Sequence, residues 1–372
     1  MEERRGAEPL VLHVIPTRAA RGAQREARAL ADRLDAPGVR RHRILALVES
    51  AGGEDVDDAG VVVDYTIGGG SLTTVGFDPR LVIRLRRALD RLAPVLVVAH
   101  GGEPLKYLVP ALFRRRCPLA YYAIGTLGPP GRQPVRRLMW RFLARRPDLV
   151  AAEGAEVLDE CRTFLGVSAG RLVLVPNGRD PEEFRPAPEA GPRSVPVIAF
   201  VGALTEQKRP GRFVDLVATL RARDLDFRAL VVGDGPLGPE ISAGARAAGV
   251  ELLGVRGDVA DVLKGTDIVV FPSLPRGEGM PGVLIEAGLS AVPVVATAVP
   301  GVDAIVVDGE TGLVVGVDDF DGMVGAVASL LADPLRRTAM GRAARRRCSE
   351  RFSLDVVASD WRDALVPLLS VR

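Results

Sequence analysis

Twelve short apolar runs alternate along this chain with stretches of helical spacing, and that alternation limits the fold more than any other feature. The runs cover 10–15, 44–48, 95–99, 119–123, 149–152 and 172–175, then 197–201, 229–232, 251–253, 268–271, 292–296 and 312–315. Between them, 24–34, 80–92, 211–223 and 283–291 show the 3.6-residue apolar period of amphipathic helices. Continuous apolar strands separated by helices imply parallel sheets covered on both faces. Two such sets, about equal in size, predict an α/β protein with two facing Rossmann-like domains.

The break between the sets is PNGRDPEEFRPAPEAGPRSVP, residues 176–196, too rich in proline to join either sheet. The expected organisation is therefore an N-terminal domain over 1–185 and a C-terminal domain over 186–350. A final helical segment, 351–372, is expected to cross back to the first domain. Open parallel sheets bind ligands at the carboxyl ends of their strands, so a cleft between the two domains is the expected site.

Composition narrows the class further. Of the residues, 26% are charged and 47% hydrophobic, with a net charge of +2, which fits neither a disordered chain nor a general nucleic-acid binder. No apolar run approaches membrane-spanning length. The N-terminal stretch MEERRGAEPLVLHVIP does not read as a signal peptide. The three cysteines, Cys117, Cys161 and Cys348, are scattered, as expected of reduced thiols in a cytoplasmic protein rather than of a disulfide or metal framework. Among 49 basic residues only three are lysine, and histidine occurs only at His13, His42 and His100.

The segment richest in chemistry is FPSLPRGEGMPGVLIEAGLSAVPVVAT, residues 271–297. A buried strand gives way to a loop, Pro281 stands where a helix begins, and Glu286 lies about one turn into that helix. Glu278 sits in the loop before it. Free N–H groups and the positive end of the helix dipole favour a phosphate, and Gly279 and Gly282 let a ligand approach the backbone. Two carboxylates beside a phosphate site suit sugar hydroxyls, so a nucleotide sugar fits better than ATP. The same spacing also suits an ordinary helix cap with two solvated glutamates.

In FVGALTEQKRP, residues 200–210, a strand runs through a glycine turn at Gly202 to Lys208, which is placed either to enter a cleft or to lie solvated on a loop. VVGDGPLG, around Gly235, is another strand entering a glycine-rich turn, and Arg256 follows the next strand.

These residues together resemble the family 4 glycosyltransferases, enzymes of GT-B fold that retain anomeric configuration and need no metal. The family's Glu-seven residues-Glu signature is similar to Glu278–Glu286 in EGMPGVLIE, and its following strand to 291–297. PNGRDPEEF resembles the family's domain-joining segment, and GETGLVV and ERFS its C-terminal landmarks. The resemblance implies that Glu286 binds the ribose, Glu278 the donor sugar, and Lys208 the diphosphate as a catalytic cation. It further implies that the backbone of Gly279, Met280, Pro281 and Gly282 lines sugar and phosphate, and that Gly202, Gly235 and Arg256 flank base or phosphates. Gly22, in TRAARGAQ, corresponds to the glycine-rich loop after the first strand.

The chain departs from the family pattern at three places. The usual Arg of the diphosphate loop is Ala203, with Arg209 as the stand-in. Pro300-Gly301 replaces a Gly-Gly pair. The family's active-site His corresponds to Ile124, in YYAIGT. By position, His13 is expected to be a packed core residue and His42 solvated. That leaves His100, at a strand's carboxyl end, as the candidate catalytic imidazole, with a hydrogen-bonded structural role as the alternative.

From Arg80 to Arg146 the chain carries 14 Arg and Lys106 against only Asp90 and Glu103. Within it, PVRRLMWRFLARRPD places Val135, Leu138, Met139, Phe142 and Leu143 on one helical face, with Trp140 among the arginines. An outward Trp140 in a basic field suits a membrane interface or an anionic acceptor; a partly buried Trp shielding a loop is the other reading.

The expected protein is thus a cytoplasmic, retaining glycosyltransferase without metal or cofactor, peripheral to the membrane's inner face through the Arg80–Arg146 stretch. It would use a nucleotide-sugar donor, UDP-linked first, and a small-molecule, glycan or lipid-linked acceptor, and would bind no nucleic acid. Two alternatives stand beside it: a non-catalytic nucleotide-sugar-binding partner subunit, and a GT-B nucleotide-sugar epimerase.

Overall fold

A computed structural model of the chain describes residues 8–18, 22–50, 62–71, 76–127, 133–187 and 194–370. The chain forms two compact units. The first is Met1–Gly178 together with Leu354–Arg372, and the second is Arg179–Ser353.

In the first unit seven parallel strands form one sheet. They are β1 (Leu10–Thr17), β2 (Arg41–Ser50), β3 (Tyr65–Ser71), β4 (Leu96–His100), β5 (Leu119–Ala123), β6 (Leu149–Ala152) and β7 (Leu172–Leu174). Their order across the sheet is β3-β2-β1-β4-β5-β6-β7. In the second unit β8 (Val197–Val201), β9 (Arg228–Val232), β10 (Val250–Leu252), β11 (Ile268–Phe271), β12 (Val294–Thr297) and β13 (Gly312–Val315) are ordered β10-β9-β8-β11-β12-β13. Both orders are Rossmann-like: each sheet reverses direction of growth once, between β1 and β4 and between β8 and β11.

The continuous apolar strands are explained by burial on both faces. Every residue of β4, β5, β6, β11 and β12 is buried, so the pattern that alternates on a one-sided sheet is absent here. The strand β3, YTIGGGS, carries three glycines and no sustained apolar run. It pairs with β2 at the sheet edge, where little side-chain burial is required.

Hydrogen bonding, rather than proline content, sets the points where the chain changes unit. Gly178 donates its N–H to Glu26 at 3.3 Å, in the first unit. The next residue, Arg179, donates to the Phe352 carbonyl at 3.0 Å and forms a bridge with Ser353, in the second. The division therefore falls at 178/179 and 353/354, not at 185 and 350. The C-terminal helix Leu354–Leu369 packs in the first unit, where fully buried Trp361 meets Tyr122 edge-on at 5.2 Å between ring centroids.

Candidate functional site

The switch point of the second sheet brings two loops together. β8 and β11 are hydrogen-bonded neighbours, and the loops leaving their carboxyl ends are 202–209 and 272–281. Leu274 donates its N–H to the Gln207 carbonyl at 2.7 Å, tying one loop to the other. Across this tie the Lys208 ammonium pairs with the Glu278 carboxylate. The Glu278 side chain is only 6% exposed, and Lys208 Nζ also stands 4.9 Å from the centre of the Phe271 ring.

The helix Gly282–Leu289 starts directly after this loop. Pro281 is its N-cap residue, one position earlier than expected, and makes no side-chain cap bond. First-turn N–H groups, which have no partner within a helix, are therefore not capped from Pro281. Met280 is buried. Glu286 reaches back along the helix, and its Oε1 accepts from Arg179 Nε at 2.7 Å.

Arg179 is the residue sequence reasoning missed. Its guanidinium Nη2 lies where a Cβ on residue 282 would sit, so a side chain there would displace the arginine's flexible end. The side chain is 11% exposed. In sequence the segment PNGRDPEEF marks a joint between domains; the signal for Arg179 is a cation at a position otherwise governed by backbone geometry.

The other residues singled out in the second unit also follow the carboxyl ends of its strands. Gly202 closes β8, donating to the Val232 carbonyl at 2.9 Å. Gly235, in the turn after β9, has φ +158° and lies so near Leu204 that an added Cβ would sit 2.7 Å from its carbonyl oxygen; only glycine fits there. Arg256 follows the edge strand β10 and is paired with Asp258 at 2.6 Å. Arg209 donates to the Val317 carbonyl at 2.8 Å and lies 3.5 Å from Asp318.

In the first unit Gly22 opens the helix Gly22–Leu34 after β1; residues 19–21 of the expected glycine-rich loop lie outside the described residues. His100 ends β4, across the switch point from β1. All three histidines of the chain form one hydrogen-bonded row across β2, β1 and β4. His13 Nε2 is 2.9 Å from His42 Nδ1, and His13 Nδ1 is 2.9 Å from His100 Nε2. Each neutral ring has one donor and one acceptor, so three neutral rings satisfy both bonds. Burial pushes His100 down to about 3. It also pushes His42 to about 4, the neighbouring Asp35 opposing the shift. His13 falls well below its ordinary value, from burial first and the two neighbouring histidines second. The expectation of a solvated His42 is corrected: it is buried, because its ring completes the row. Beside the row, the Tyr122 hydroxyl contacts Asn177 at 2.9 Å and Glu26 at 3.4 Å.

The helix Pro134–Leu143 is turned opposite to the outward-Trp reading. Trp140 is partly buried against Gly102, whose lack of a side chain leaves room for the indole. Arg137 lies over the Phe164 ring at 4.7 Å. The face turned to solvent is the apolar one, with Val135, Leu138 and Phe142 83%, 71% and 64% exposed. No helix among the described residues is long and apolar enough to cross a membrane. Among the same residues, no group of three or more His, Cys, Asp or Glu side chains is placed to hold a metal ion.

Comparison with known proteins bears on the fold and the family. The model described as "Glycosyltransferase Family 4" matches residues 20–183, and that described as "Glycosyl transferases group 1" matches 195–333. The chain is 28% identical to the GDP-mannose-dependent alpha-(1-6)-phosphatidylinositol monomannoside mannosyltransferase of Mycolicibacterium smegmatis, covering 82% of this chain and 86% of the relative. It is 30% identical to alpha-maltose-1-phosphate synthase of the same organism, over 70% of this chain and 69% of the relative. In fold it is similar to Anabaena Alr3699/HepE, solved in complex with UDP and glucose, with a TM-score of 0.80 and 20% identity. That match covers 96% of this chain and 99% of the other. The signature segments, the two Rossmann-like sheets and these matches agree: this chain is a GT-B glycosyltransferase and belongs to family 4.

Proposed function

We propose that this glycosyltransferase moves a sugar, with retention and without a metal or cofactor, from a nucleoside-diphosphate sugar to a lipid-linked acceptor. UDP is the first nucleotide to test. The observation that carries the donor reading is the set of two cation–carboxylate pairs at one sheet edge, Lys208–Glu278 and Arg179–Glu286. A nucleotide sugar offers hydroxyls to the carboxylates and phosphate oxygens to the cations, so each pair can be split by one ligand. Without ligand, each pair neutralises charges that would otherwise be costly to hold half-buried.

In this reading Glu286 takes the ribose hydroxyls and Glu278 those of the sugar. The backbone of Gly279, Met280, Pro281 and Gly282 lines sugar and phosphate, while Gly202, Gly235 and Arg256 border the nucleotide. Arg209 is the peripheral cation, its guanidinium bound to the Val317 carbonyl. As the anomeric carbon's bond to the phosphate oxygen breaks, the acceptor oxygen bonds to that carbon on the same face. The diphosphate leaves with the bonding electron pair and one of its oxygens takes the acceptor's proton. Lys208, Arg179 and the helix N-terminus meet the developing negative charge, a role preorganised cations and dipoles perform well.

The acceptor is assigned to the first unit, at the switch point marked by Gly22 and by His100 with its Gly101-Gly102 turn. A lipid-linked acceptor is supported by the mannosyltransferase relative, a phosphatidylinositol monomannoside mannosyltransferase. His100, neutral, buried and bonded to His13, is a weak base; its part is to hold the end of β4. A thermal-shift panel of UDP, GDP, dTDP and their sugars tests the donor reading. Selective stabilisation by one nucleotide family supports it, and no shift with any of them refutes it.

The reading as a non-catalytic partner subunit draws on Ile124, Ala203 and the buried His100. It predicts nucleotide binding with no turnover on any acceptor. The epimerase reading is disfavoured because all three histidines are taken up in one buried row.

A further inference from the structure

We infer that the solvent face of helix Pro134–Leu143 is a docking surface for an anionic lipid bilayer, with Val135, Leu138, Met139 and Phe142 entering the interface. Four large apolar side chains of one ten-residue helix share that face, and each is exposed. With Arg141 and Arg145 they line an open groove of about 660 Å³. An apolar face of this kind on a soluble domain marks an interaction site.

The charge around the face selects the partner. Residues 133–147 hold five arginines and no carboxylate; Arg137 lies over Phe164 and Arg146 pairs with Asp148 at 3.3 Å, which leaves Arg136, Arg141 and Arg145 to face a partner. A protein partner with an apolar patch would meet this field at a cost unless it were acidic. A bilayer with anionic headgroups supplies both parts at once: acyl chains for the apolar face and phosphates for the guanidiniums. Long arginine stems can lie along the helix while their heads reach the headgroup level.

Trp140 and Leu143 anchor the helix from the other side. Leu143 is buried in the first unit's core and Trp140 packs against it, so the outward face is presented on a fixed support and does not need to fold on arrival. The inference deepens the lipid-acceptor reading by naming the surface that meets the membrane. It rests on that reading for its purpose, but not for its test.

The test is co-sedimentation of the full chain with vesicles of phosphatidylcholine alone and of phosphatidylcholine mixed with phosphatidylglycerol, at low and high salt, without donor or turnover. The wild-type protein is expected to bind the anionic vesicles and to release them as salt rises. The double variant Leu138→Ser/Phe142→Ser is expected to lose about tenfold or more in affinity, two exposed apolar anchors being removed. Arg136→Ala/Arg145→Ala is expected to lose about fivefold per arginine and to flatten the salt dependence. These side chains are largely solvent-exposed, so circular dichroism and melting temperature should be unchanged in both variants. Equal binding by wild type and variants overturns the inference, as does no binding of wild type to anionic vesicles. Sedimentation velocity supplies a further contrary outcome: a dimer dissolved by Leu138→Ser/Phe142→Ser would assign the face to a second copy instead. Loss of vesicle binding with a normal nucleotide response separates this surface from the donor site; the converse separates the donor reading from it.

Discussion

Arg179 Nε lies 2.7 Å from Glu286 Oε1, and the same arginine is tied through its backbone to Phe352, at the far end of the second unit's sequence. The side chain that holds the Glu286 carboxylate thus grows from a backbone fixed by a hydrogen bond to another element. Arg179→Ala leaves Glu286, 17% exposed, without that partner. The phosphate contact proposed for Arg179 is a charge-assisted hydrogen bond, worth roughly 1.5–3 kcal/mol, so nucleotide affinity should fall about 10- to 100-fold. Calorimetry with the nucleoside diphosphate and the bare nucleoside separates two contributions. Loss confined to the diphosphate shows direct phosphate contact, whereas equal loss on both shows action through Glu286. No loss on either ligand would remove Arg179 from the site.

Lys208 and Glu278 should be energetically coupled even without ligand. Glu278 is almost wholly buried, and removing only its cation strands a charge. Each single alanine variant should lower stability by a few kcal/mol, of the order seen when a buried pair is broken. The double variant should lose less than the two singles added, by about 0.5–3 kcal/mol of coupling. Urea unfolding of the four proteins measures it; strict additivity would show the pair to be incidental.

The histidine row makes the first unit sensitive to acid. The folded pKa values lie below the ordinary value of about 6.5, with His100 and His42 at about 3 and about 4. A depressed histidine pKa means that the unfolded chain binds protons first. This contribution to stability is fully present above about pH 6.5 and is lost progressively as pH falls toward about 3. The midpoint of urea unfolding should therefore decline between about pH 7 and pH 5, while the imidazole resonances of the folded protein show no protonation over that range. Histidine resonances that titrate with midpoints near about 6.5 would contradict the buried, neutral row.

Much of this was legible in the sequence because burial on both sheet faces writes an unbroken apolar run. Twelve of the strands leave that mark. β3 does not, since its glycines and edge position require no such run. Glu278, Glu286 and Lys208 were visible because residue type and spacing around a strand–helix junction carry meaning locally. Arg179 was not, because its place in the candidate site depends on a contact with Glu286, 107 residues away. Likewise the outward face of helix Pro134–Leu143 was misjudged under the exposed-Trp reading. Helical periodicity separates two faces, but it was Gly102, on another helix, that decided which one turned inward. His42 looked solvated among arginines for the same reason: its partner, His13, lies on another strand.

Turnover of a nucleotide sugar by wild type, Glu278→Ala and Lys208→Ala tests the central claim most directly. The assay measures nucleoside diphosphate released from UDP- and GDP-sugars, with phosphatidylinositol-based lipids offered as acceptors. The account predicts release by the wild-type protein with one donor family. It also predicts a fall of about a hundredfold or more in each variant, the scale of losing one preorganised contact to a transition-state charge, with folding preserved. Wild-type rates in both variants would contradict it.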